Sequence, residues 1–308
     1  MPPALPDRAR AAVLTWFDAS GRILAFRATR DPYAVLVSEV MAQQTQVSRV
    51  VPAWERFLAR FPTIADLAAA SPAEVLREWR GMGYDRRALN LHRTVRMIVA
   101  EHGGRVPSDV AALERLPGIG PYTARAVAAI AFGMPVAAVD TNVRRVLGRA
   151  LGGHGGMSAV ELQDAADASV DRARPGEWTH ALMDIGATLC RPTQPRCEAC
   201  PLRAWCRRAK AAASDDASTA ERPGRAARPR QRTADQARPV PFTSTTRWLR
   251  GRLVDRLRET PGEAWTAIRG PIGEHDAEAI DRALVALARD GIIEIDALDR
   301  RRVRLATT

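Results

Sequence analysis

The sequence predicts an all-α core followed by a small α+β module. Three observations carry this. Over residues 8–206 alanine is abundant, apolar residues recur at helical spacing, and no strand alternation stands out. The only four cysteines of the chain, Cys190, Cys197, Cys200 and Cys206, sit within that region in one short stretch. Residues 207–241 then lose their large apolar groups, and helical periodicity returns over 242–308. These shifts divide the chain into a core (1–206, with the cysteine loop at 190–206), a linker (207–241) and a C-terminal module (242–308).

Each element has a local cause. Asp31-Pro32 and Ser71-Pro72 place a capping side chain before a proline at the first helical position. Ser108 is a candidate cap for a helix over 109–116, and Asp140 for one over 141–150. Breaks fall at Gly81-Met82-Gly83, at Gly103-Gly104 and over 151–156. The linker carries nine basic and four acidic residues and too little apolar surface to fold alone. In the module, Leu249, Leu253 and Leu257 line one helix face, and Ile280, Leu284 and Leu287 another. Gly291 ends the second helix, and 292–295 and 302–305 read as a hairpin. Helix, helix and hairpin suit a small winged-helix-like module.

The net charge is +11 and the sequence pI about 10.8, which suits a polyanion such as nucleic acid. No apolar run reaches the roughly 18 residues needed to span a bilayer. The first ten residues are charged and proline-rich, unlike a signal peptide. The expectation is a cytoplasmic protein with no membrane partner, acting as a monomer. Lys210 is the only lysine, so 45 of the 46 Lys and Arg residues are arginine.

Three motifs carry chemistry. Leu116-Pro117-Gly118-Ile119-Gly120 joins two helical stretches. Its glycines permit a tight turn whose backbone N–H groups, with the next helix start, suit a phosphate. Twenty positions after Gly120 comes Asp140, opening a helix where the dipole favours a negative charge. The second acid, Glu39, lies in an apolar helix with Leu36, Val37, Val40 and Met41, where burial would keep it protonated. One proton donor and one anion form the pattern of glycosidic bond cleavage.

The cysteines are spaced C-x6-C-x2-C-x5-C. Four thiolates select zinc or an iron–sulfur cluster. Zinc sites usually pair two short knuckles, whereas one C-x2-C here is flanked by wider gaps. A [4Fe-4S] cluster is also held by four cysteines.

Ser38–Val47 (SEVMAQQTQV), Gly81-Met82-Gly83-Tyr84, Leu116–Gly120, Val139–Val146 (VDTNVRRV) and the cysteine loop together resemble the MutY-type adenine DNA glycosylases of the endonuclease III-like helix–hairpin–helix superfamily. The resemblance covers residues 30–206. It implies two helical lobes with a cleft, a helix–hairpin–helix and a [4Fe-4S] cluster on Cys190, Cys197, Cys200 and Cys206. It implies a base excision repair enzyme that hydrolyses the N-glycosidic bond of adenine mispaired with 8-oxoguanine or guanine in double-stranded DNA, associated with the bacterial nucleoid through that DNA. By resemblance Glu39 protonates the leaving base, Asp140 stabilises the positive sugar, Asn142 helps hold the site and Tyr122 lines the base pocket. Gln43, Gln44 and Thr45 fall at the lesion side, and Tyr84 is wedged beside the orphaned base. A flat side chain can fill the gap that a flipped base leaves. Many members of this family end in a Nudix-like β domain; residues 242–308 are shorter and more helical.

Two other functions compete. An endonuclease III-type glycosylase/lyase, acting on oxidised pyrimidines, needs a nucleophilic lysine two residues after the second hairpin glycine. Tyr122 stands there, and residues 1–209 contain no lysine. A mismatch thymine glycosylase shares the tyrosine, but Glu39 and the Gln43-Gln44-Thr45 run argue for adenine. A non-catalytic iron–sulfur DNA-binding regulator would need neither Glu39 nor Asp140. The expected enzyme is therefore monofunctional, with no Schiff-base step.

Overall fold

The computed structural model describes residues 2–153, 155–215 and 241–307. Most of the 207–241 linker lies outside the described residues. Its first part, 207–215, is helical, continuing directly from the cysteine loop.

The described chain forms fourteen α-helices. They are α1 (Asp7–Ser20), α2 (Pro32–Ala42), α3 (Val47–Arg60), α4 (Ile64–Ala69), α5 (Pro72–Glu78), α6 (Arg86–His102) and α7 (Val110–Glu114). Then follow α8 (Pro121–Phe132), α9 (Thr141–Leu147), α10 (Ala159–Ala168), α11 (Pro175–Asp184), α12 (Arg207–Asp215), α13 (Thr246–Arg258) and α14 (Ala277–Arg289). Three short strands, β1 (Thr266–Ala267), β2 (Ile293–Ile295) and β3 (Arg302–Leu305), form an antiparallel sheet of order β1-β3-β2.

The local signals act largely as expected. The Asp31 carboxylate accepts from the Ala34 N–H at 2.9 Å, and Ser71 and Glu74 close a reciprocal capping box. One cap differs. Asp109, not Ser108, accepts from the Ala112 N–H at 2.8 Å, and the helix is only Val110–Glu114. Both residue types can cap; the acid one position later does so, and Leu116 is left to the following turn.

Two compact units divide the chain: 1–40 with 106–222, and 41–105 with 223–308. Neither follows chain order. The first unit is built around Leu5, Val13, Leu147, Leu162, Trp178 and Ile185, all at most 2% exposed. The second has an aromatic centre, with Phe57 edge-on to both Phe61 and Trp79 at 5.0 and 6.0 Å.

In the second unit the C-terminal module is joined to the α5–α6 region. Its two helices bury the leucine and isoleucine faces read from the sequence. Strand β1, absent from the expected helix–helix–hairpin pattern, adds to the hairpin through Thr266 and Ala267. Arg258, whose side chain is 6% exposed, pairs with Asp85 at 2.6 Å and donates to the Leu76 carbonyl at 2.8 Å. Arg80 meets Glu259 at 2.9 Å. Within its unit the module is thereby seated on the α5–α6 region.

Candidate active site and cysteine centre

Glu39 sits on the third turn of α2, among Leu36, Val37 and Met41, each with no measurable exposure. The residue is itself 7% exposed. Burial pushes its carboxyl up to about 7, against a hydrogen bond from Tyr122 and the charge of Arg27, with Asp140 adding to the rise. Tyr122 reaches it from α8: its hydroxyl donates to Glu39 Oε2 at 3.2 Å. Burial and the two acids raise the Tyr122 phenol well above its ordinary value, so it remains a neutral donor.

Asp140 caps α9. Its Oδ1 accepts from the Val143 N–H at 2.7 Å, and its Oδ2 from Asn142 Nδ2 at 2.9 Å. Both carboxylate oxygens are thus aimed by α9. Asn142 is aimed in turn: its Oδ1 accepts from Arg145 Nη2 at 2.7 Å. Arg145 also donates to the carbonyls of Gly186 at 2.7 Å and Cys190 at 2.6 Å. A continuous polar chain therefore runs from Asp140 through Asn142 and Arg145 to the first cysteine. Gly186, in a wide π-type turn after α11, makes this possible. A Cβ there would lie 2.5 Å from Asn142 Cβ. Neither Arg145 nor Gly186 was singled out from sequence; Arg145 appeared there only as the second arginine of VDTNVRRV.

Another missed group braces the same unit. Asp184 is fully buried and receives Arg27 at 2.9 Å through both nitrogens and Arg22 at 2.7 Å. Burial would raise its carboxyl, but these hydrogen bonds outweigh that and hold it below the ordinary value. Nearby His180 is driven down to about 3 by burial, helped by the Arg27 charge, and stays neutral. Arg27 thereby lies where its charge reaches Glu39 while its own position is fixed by Asp184.

The hairpin turn joins α7 to α8. Leu116 and Ile119 are buried anchors, whereas Gly118 and Gly120 are exposed. Gly118 has φ +77°, a conformation that favours glycine. Pro117 lies half-buried between them, and Gly120 precedes Pro121 at the first position of α8. Backbone, with no bulky side chain, faces outward.

All four cysteines line one apolar cavity of about 40 Å³, with Val146, Leu189 and Leu202. Burial pushes the Cys200 thiol up to about 11, and the other three cysteines act on it in the same direction. Arg149 Nη1 lies 3.4 Å from Cys190 Sγ. Among the described residues no three His, Cys, Asp or Glu side chains are gathered as tightly as a single ion requires. One zinc would draw all four sulfurs to about 2.3 Å from a point; a four-iron cube takes each sulfur at a separate corner and needs more room between them. An all-sulfur donor set around an apolar cavity suits a soft metal centre, zinc or an iron–sulfur cluster.

The second unit holds the remaining sequence-selected residues. Gln44 and Tyr84 both adopt left-handed backbone, at φ +52° and +49°. Arg87 ties their loops together. It donates to the Met41 carbonyl at 3.0 Å and to the Gln43 carbonyl, to Thr45 Oγ1 at 2.9 Å and to the Met82 carbonyl at 3.0 Å. Its guanidinium also lies 5.5 Å from the ring centres of Trp79 and Tyr84. Gln43, Gln44 and Thr45 are thus brought to Tyr84 by an arginine that carried no sequence signal.

Residues 37–170 match the model of the HhH-GPD superfamily base excision DNA repair proteins. The adenine DNA glycosylase of Mycolicibacterium smegmatis is 41% identical over 288 residues, spanning 92% of this chain and 91% of that one. The chain belongs to the adenine DNA glycosylase family. Its human relative is 42% identical over 211 residues, covering 64% of this chain but 39% of the longer protein. Among solved structures, a thermostable thymine-DNA glycosylase is 29% identical with a TM-score of 0.62, over 66% of this chain and 95% of that one. Endonuclease III in a non-covalent complex with DNA is 27% identical, with a TM-score of 0.56 over 67% and 95%. The mycobacterial match leaves out only about 25 residues of 308, so it takes in most of the C-terminal module. Membership of this family excludes the regulator reading.

Proposed function

We propose that this protein is a base excision repair glycosylase that hydrolyses the N-glycosidic bond of adenine mispaired with 8-oxoguanine or guanine, without a lyase step. The observation that carries the mechanism is the pair of differently housed acids. Glu39, buried and titrating near 7, holds a proton at Oε for a leaving adenine, where general acid catalysis contributes about 10²–10⁴-fold. Tyr122 fixes that carboxyl by donating to its other face and lines the base pocket. Asp140, with both oxygens oriented by α9, stabilises the positive charge that grows on the sugar as the bond breaks. Asn142 holds it in place.

The hairpin Leu116–Gly120 offers its exposed turn to a DNA phosphate. Gln43, Gln44, Thr45 and Tyr84 meet the lesion side, with Tyr84 beside the base left without its partner. Cys190, Cys197, Cys200 and Cys206 would hold a [4Fe-4S] cluster, which would supply a rigid knot closing the 190–206 loop onto Arg145 and Arg149. No helix among the described residues is long and apolar enough to cross a membrane.

The test is a single-turnover assay on duplexes carrying adenine opposite 8-oxoguanine, adenine opposite guanine, and thymine opposite guanine. Adenine should be released and the strand should stay intact until alkali is added. Release of thymine in preference to adenine would sink the reading. Efficient borohydride trapping of a covalent adduct at neutral pH would refute the monofunctional step, since no lysine precedes Lys210.

A further inference from the structure

The basic groups of the C-terminal module invite a phosphate-anchor role, but most are already engaged. Arg250 pairs with Asp290 and Arg252 with Asp255. Arg247 is different. It stands in the first turn of α13, is exposed, and places its guanidinium 4.7 Å from the ring centre of Tyr84. Tyr84 is itself 46% exposed and held in a left-handed conformation that a bulky residue rarely adopts. The residue after it, Asp85, is the anchor for the buried Arg258 of the same α13. Both ends of this helix therefore close on two consecutive residues of one loop: Arg258 grips Asp85, and Arg247 lies over Tyr84.

We propose that Arg247 is a positioning residue for Tyr84, and that the C-terminal module sets the pose of this ring against the base opposite the target adenine. The proposal rests on the reading of Tyr84 as the side chain beside the orphaned base. The chemistry is a cation on a π face, which restrains the ring without closing its edge to a base. Held this way, the ring need not be ordered again when DNA binds. A flexible Tyr84 would lose that entropy at each encounter.

The experiment uses the full chain and single-turnover excision from three duplexes. Adenine stands opposite 8-oxoguanine, opposite guanine, or opposite a stable abasic analogue that presents no base. With a base opposite, Arg247→Ala should slow excision about two- to fivefold, the worth of an exposed cation–π contact. Arg247→Lys should recover most of the loss. Opposite the abasic analogue, Arg247→Ala should match the wild type. The double variant with Tyr84→Ala should be no slower than Tyr84→Ala alone. Equal loss on all three duplexes with a flattened salt dependence would make Arg247 a phosphate anchor and overturn the proposal. So would multiplying losses in the double variant. Tyr84→Ala at the wild-type rate overturns the reading of Tyr84 itself; a slow Tyr84→Ala beside an unimpaired Arg247→Ala overturns only the clamp. Should Arg247→Ala melt well below the wild type, Arg247→Gln replaces it in every arm.

Discussion

The acid site of the first unit and the glutamine–tyrosine loops of the second are held by opposite means. Glu39 and Tyr122 stand on helices and bond each other, while Asp140 caps a helix and is held by Asn142, itself fixed by Arg145. Gln44 and Tyr84 stand on turns in left-handed backbone, gathered by Arg87 through main-chain carbonyls. Chemistry on a glycosidic bond needs a proton held at a defined atom in a poorly solvated place. Recognition of a base needs exposed side chains on loops, steadied from behind. Under the proposed function the two tasks fall to separate compact units, and the difference teaches that each carries its own bracing.

The comparison is broken most severely at Glu39. Glu39→Gln keeps the shape and removes the proton, so excision should fall by about 10²–10⁴-fold while mismatch binding survives. In the wild-type protein the rate should decline as pH rises through about 7, because the acid form is then lost. Stability should fall with the same rise in pH. The carboxyl titrates near 4.5 unfolded and near 7 folded, so its favourable contribution is complete below 4.5 and gone above 7. Glu39→Gln should therefore out-melt the wild type at pH 8, by up to about 3 kcal/mol, with little gap at pH 4. Full activity in this variant, or no pH-dependent gap in melting, would remove Glu39 from its role.

The second unit is tested at its strut. Arg258→Ala leaves Asp85 without its buried partner and should cost about 3–5 kcal/mol, read as early melting of the second unit by hydrogen exchange. Uniform loss of protection in both units would show instead that they unfold together.

A smaller effect than either is expected where the two acids differ in support. Arg145→Ala cuts the path from Asn142 to the Cys190 carbonyl. Excision should drop about 10–100-fold, the range seen when groups behind a metal ligand are removed. The iron content and visible absorbance should fall with it. A loss of activity at full iron content would confine Arg145 to orienting Asn142.

Local chemistry made much of this legible before any fold was known. Glu39 could be read as buried because its neighbours are apolar, and Asp140 as a cap because it opens a helix. The hairpin glycines, the cysteine cluster and the two strands of the C-terminal hairpin were readable for the same reason: each depends on residues close in the chain. The cap at Asp109 was missed by one position because serine and aspartate compete for the same task.

What the sequence by itself determined is thus the set of candidate reacting groups, the helices that carry or follow them and the breaks between elements. Tertiary structure alone decided that Arg145 and Gly186 brace Asn142, that Asp184 holds Arg27, and that Arg258 and Arg247 close on Asp85 and Tyr84. Apart from Arg145 and Asn142, one turn apart on α9, these contacts join residues dozens to more than a hundred positions apart. An arginine looks the same in sequence whether it ends in solvent or in a buried carboxylate, because only the folded chain decides which carbonyls and acids come within its reach.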